Sequence, residues 1–137
     1  MSTTTETHDY GITRTVSTAY DETIARVREL LKEEGFGVLT EIDVKRTLKE
    51  KIDKDVEPYV ILGACNPNLA ARALEIEPDV GLLLPCNVVV RQHAGHVIVS
   101  AMDPQLIAEF SDLPELRAVA DEAKVLIDAA LDSLIGS

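Results

Sequence analysis

The chain has 137 residues, 46% hydrophobic and 27% charged, which suits one folded domain and excludes a disordered chain. Its formal net charge of −11 repels phosphate backbones and anionic membranes. Aromatics at 4%, with no Trp, leave little for base stacking, so neither nucleic acid nor a membrane is the expected partner, and the core must come from Leu, Ile, Val and Ala.

Residues 1–9 are polar, lack an apolar signal core and are expected to be a loose tail ahead of a single domain over 10–137. YGITRTVS at 10–17 alternates with period two, the pattern of a strand with one wet face. Thr18 can cap a helix over 19–34, where Ile24, Val27, Leu30 and Leu31 recur at helical spacing, and Gly35 ends it. FGVLTEI at 36–42 reads as a second strand, and Asp43 caps a short helix over 44–51. The basic run KRTLKEKIDK at 45–54 is nearly neutralised by Glu50 and Asp53 and reads as a solvated face. EPYVILGA at 57–64 is apolar on both faces after Pro58, as an interior strand would be.

Asn66-Pro67 opens a short helix, with Asn as cap and Pro in the first turn. Its alanines (Ala70, Ala71, Ala73) are expected to let it lie close to a sheet. Pro78 and Gly81 end it. Ala94-Gly95, between LLLPCNVVVRQ and HVIVSA, signals a hairpin. A short helix over 103–110 follows, and then the clearest element, 113–135, with Leu116, Val119, Ala123, Leu126, Ala130 and Leu134 on one face. The order predicts an α+β two-layer sandwich, with about five mostly antiparallel strands and helices on one face.

No nucleotide-binding, zinc-protease or serine-hydrolase motif is present, which favours a non-enzyme. The chemistry-bearing residues are Cys65-Asn66 and Cys86-Asn87, each Cys-Asn pair beside a proline. The longest nearly apolar run, 80–90, is too short to cross a bilayer. The expected location is cytoplasmic, where two cysteines suggest reduced thiols, a soft metal such as copper(I), or a transient redox pair. Cys65 sits just before a helix start, where backbone amides favour a thiolate. Asn87 could bond a backbone group or an oxyanion. His93 and His96 flank the hairpin tip, away from Cys86, so four-coordinate zinc is not expected. Whether the thiols meet depends on strand direction. Antiparallel neighbours put both at one end of the sheet, whereas a parallel crossover separates them by roughly 25 Å.

GFGVLTEIDVKRTLKEK at 35–51, PYVILGACNPNLAARAL at 58–74 and GLLLPCNVVVR at 81–91 together resemble domain-of-unknown-function family 302. The resemblance implies a small α+β domain with a TATA-binding-protein-like arrangement and a homodimer, and it implies no biochemical activity. Two readings follow, beside a third in which Cys65 is the nucleophile of an enzyme with a histidine partner. In one, Cys65 and Cys86 form a thiol-based ligand-, soft-metal- or redox-binding module. In the other, a non-enzymatic small-molecule-binding or homodimeric assembly domain uses both cysteines structurally.

Overall fold

A computed structural model of the chain describes residues 5–8 and 10–135. Its six-stranded sheet has the order β1-β2-β6-β5-β4-β3, and every neighbouring pair is antiparallel. The strands are β1 (Thr5–His8), β2 (Gly11–Val16), β3 (Gly37–Asp43), β4 (Tyr59–Cys65), β5 (Cys86–His93) and β6 (His96–Met102). The helices are α1 (Tyr20–Glu33), α2 (Val44–Ile52), α3 (Pro67–Ile76), α4 (Gln105–Glu109) and α5 (Pro114–Ile135), with a 3-10 turn over Pro78–Leu83. This is the expected α+β sandwich with one strand more. Thr5–His8, read from sequence as tail, pairs with β2 along one edge of the sheet. The rest of that expected tail, residues 1–4 and 9, lies outside the described residues.

Local chemistry explains most boundaries. Asp43 caps α2 by accepting from the Arg46 amide at 2.9 Å, and Asn66 caps α3 by accepting from the Leu69 amide at 3.3 Å. Gly35 closes α1 at φ +90°, where a side chain would be strained. Ala94 and Gly95 both have positive φ, which joins β5 to β6 through a turn whose twist matches the strands. Thr18 does not cap α1. The helix begins one residue later than that role requires, and the Thr18 hydroxyl meets the Thr23 hydroxyl at 2.7 Å.

Alternate residues of β2, β4, β5 and β6 point into one apolar layer beneath α1 and α5. Val60, Leu62, Val88, Val90 and Val99 meet Val27, Leu31, Ile127 and Leu131 there. A second, smaller apolar cluster joins Leu69 and Ala73 of α3 to Val80, Ile107, Leu116, Val119 and Ala123. The single long helix α5 therefore serves both clusters, with its later turns on the sheet and its earlier turns under α3. α3 lies against α5 and the 3-10 turn. It does not lie flat on the sheet, as its alanines had suggested. α2 buries none of its residues and rests against β3 and β4.

Candidate functional site

β4 and β5 are antiparallel neighbours, so the chain between them must leave and return at the same end of the sheet. α3 and the 3-10 turn make up this excursion. Beneath it, at the seam between the two apolar clusters, lies a cavity of about 360 Å³. Phe36, Ala64, Cys65 and Cys86 line it from the sheet side, Leu69, Ala70 and Ala73 from α3, and Val119, Ala120 and Ala123 from α5. Small residues create the space. Where the two clusters approach each other, five of these lining side chains are methyl groups, too short to meet across the gap.

Strand direction resolves the cysteine question in favour of a shared end. Ala64 pairs with Cys86, and Cys65 is the next residue of β4. Both thiols are free and both border the cavity. Cys86 is buried, and burial, with a smaller contribution from the Cys65 charge, pushes its pKa up from 9.0 to about 11. Its thiol is therefore neutral at physiological pH. Asn66 joins the same wall, but its amide is committed to the fold: Oδ1 caps α3, and Nδ2 points at the Glu34 carbonyl 3.5 Å away. Asn87 does not join them. It is exposed and lines a separate cleft, because consecutive strand residues face opposite ways.

The raised Cys86 pKa has a measurable consequence. A group whose folded pKa exceeds its unfolded value contributes stability that is complete below the unfolded pKa and is lost as pH rises through the folded one. Denaturant melts should therefore show roughly 2–3 kcal/mol lost between pH 9 and pH 11 on account of Cys86. Cys86→Ala should remove that part of the alkaline loss. Alkylation of Cys86 by iodoacetamide should be slow at pH 7 and accelerate over the same window, and a fast reaction at pH 7 would contradict the burial argument.

Among the described residues, no three or more His, Cys, Asp and Glu side chains come together to hold a metal. His93 and His96 pair across the β5–β6 hairpin tip, at the other end of β5 from Cys86, and His93 Nδ1 sits 3.4 Å from a Glu57 carboxylate. Also among the described residues, no helix is long and apolar enough to cross a membrane.

Sequence reasoning missed the outer wall of the cavity. The register of β3 against β4 shifts between Val38 and Thr40, and this bulge brings Thr40 over Gly63. Pro85, which follows a cis peptide bond, reaches the same glycine. Only a residue without Cβ leaves room for both. The isolated glycine inside an otherwise apolar strand was the available signal for such a close approach.

Fold and cavity together define a small open-faced α+β domain with an apolar pocket at one end of an antiparallel sheet. The chain belongs to the family described as domain of unknown function DUF302, whose model matches residues 12–134. It is 38% identical to an uncharacterized conserved DUF302 protein from Bacillus stearothermophilus. That crystal structure superposes with a TM-score of 0.86 over 93% of this chain and 99% of the other. No curated protein matches the chain.

Proposed function

We propose that the domain binds a small apolar molecule in the cavity beneath α3. The observation that carries this reading is the cavity itself: about 360 Å³ walled almost entirely by aliphatic side chains. Ligand pockets in proteins start near 300 Å³ and are mostly apolar, with a few polar groups to orient the guest. The Thr40 hydroxyl, the two thiols and the Asn66 amide are the polar groups at this wall, the last already engaged in capping α3. A guest that binds only the folded state would stabilise it by mass action, about 2.7 kcal/mol at a hundredfold excess over Kd.

The test uses 1-octanol as probe. Titration should raise Tm and shift the amide resonances of Leu69, Ala73, Ala120 and Ala123. Ala120→Phe, which places a ring in the space, should abolish both effects while keeping the native far-UV spectrum. An unresponsive native protein would sink the reading.

A second reading treats Cys65 and Cys86 as a soft-ligand or redox pair, copper(I) being an ion that two thiolates can hold. Their common wall supports it. The burial of Cys86 opposes it, because a thiol must lose its proton before it can bind metal or attack. The alkylation profile of Cys86 decides between the readings, since rapid reaction at pH 7 would favour the pair.

A further inference from the structure

On the face of the sheet opposite the α1–α5 layer, alternate residues of β5 stand in a row: Asn87, Val89 and Arg91. Their neighbours Val88 and Val90 are in the core. Across the ladder, Arg91 pairs with Tyr59 and Val89 with Ser100, which in turn pairs with Thr13. These six residues border a cleft of about 320 Å³. The Thr13 and Ser100 hydroxyls bond each other at 2.9 Å and close one side.

Arg91 is the unusual member. It is half-buried, and it meets no carboxylate among the described residues. Each of the other buried or half-buried basic side chains described has an acidic partner: Arg14 has Asp132, Arg26 has Glu29, Arg28 has Glu41 and Lys124 has Asp103. Glu57, two residues before the start of β4, is directed at His93 instead. The chain carries 24 acidic side chains against 13 Lys and Arg, so partners are not scarce. Arg91 keeps partial access to water, and a guanidinium already stripped of part of its hydration gains from an anion supplied from outside the chain.

We propose that this cleft binds a small organic carboxylate. The guanidinium of Arg91 takes the anion through paired N–H donors, a geometry that matches a carboxylate. Asn87, four residues away on the same face, offers a further amide donor at the other end of the cleft. The Tyr59 ring and Val89 give an apolar wall for the body of the molecule. The site is on the opposite face of β5 from the cavity under α3 and does not depend on that cavity being a ligand site.

Benzoate, with neutral benzamide as its isostere, provides the probe pair in amide-resonance titrations of the full chain. Benzoate should shift Tyr59, Asn87 and Arg91, and benzamide should bind at least about tenfold more weakly, as loss of a charge-assisted contact predicts. Arg91→Gln should weaken benzoate by a similar factor, Arg91→Lys should restore part of it, and resonances elsewhere should report an unchanged fold. Equal binding of benzoate and benzamide, or unaltered binding in Arg91→Gln, overturns the proposal. A dimer that falls to monomer with Arg91→Gln in sedimentation also overturns it, because the cleft would then be covered by a second copy of the chain.

Discussion

Replacing Leu131 with Ala should lower the unfolding free energy by about 2–5 kcal/mol. Leu131 is 1% exposed and lies in the apolar layer between α5 and the sheet. Truncation removes the transfer free energy of the buried methyl groups and leaves a void that a rigid sheet and α1 fill only in part. Domains of this size are stable by roughly 5–15 kcal/mol, so the loss is a large share of the total. It should appear as a lower urea midpoint with an unchanged slope. Val125, in the same helix but 67% exposed, provides the comparison: Val125→Ala should stay within about 0.5 kcal/mol. If the two variants behave alike, α5 does not hold the sheet in the way described.

Gly63→Ala should destabilise by about 1–3 kcal/mol, although it adds only one methyl group. A Cβ at this position would lie 2.2 Å from Thr40 Oγ1 and 2.9 Å from Pro85 Cγ. Alanine reduces unfolded-chain entropy, which by itself would stabilise by about 0.4–1 kcal/mol. The clash outweighs that gain, because the Pro85 ring cannot rotate away as a flexible side chain would. Thr40→Ala in the same chain removes the shorter contact and should recover part of the loss, giving a non-additive double-mutant cycle. Full additivity would show that Thr40 and Gly63 are not in contact. Because Thr40 and Pro85 also border the cavity, the single variant should weaken octanol binding beyond what its stability loss explains.

Much of the fold was legible because its signals are local. Asp43 and Asn66 cap helices through amides three residues away, and Ala94-Gly95 turns the chain within its own strand pair. The apolar stripe of 113–135 needs only helical spacing to be recognised. β1 was missed because Thr5–His8 carries no apolar alternation, and backbone pairing at a sheet edge leaves little trace in side-chain type. The bulge at Val38–Thr40 was missed for a related reason. It inserts a residue without altering composition, so no local pattern announces it.

The candidate site was legible only in part. The sequence singled out Cys65, Asn66 and Cys86 by residue type and left open whether the two cysteines meet; the structure places all three along one cavity. Asn87 was grouped with Cys86 because they are adjacent in sequence, yet adjacency in a strand places side chains on opposite faces. Arg91 carries no signal in the sequence, since a lone basic residue looks ordinary until the carboxylates around it, among the described residues, are placed in three dimensions.

By itself, then, the amino-acid order determined most of the secondary elements, the Asp43 and Asn66 caps, the hairpin and the mostly antiparallel α+β class, all of which depend on contacts within a few residues or on simple periodicity. Only the tertiary structure decided the rest. The antiparallel pairing of β4 with β5 put both thiols at one end of the sheet. The junction of two apolar clusters, lined by alanines too short to fill it, left a cavity there. The two faces of β5 then separated a neutral, buried Cys86 from a cleft whose Arg91 meets no carboxylate among the described residues. Each depends on residues far apart in the chain coming together, a relation that no local pattern of side chains encodes.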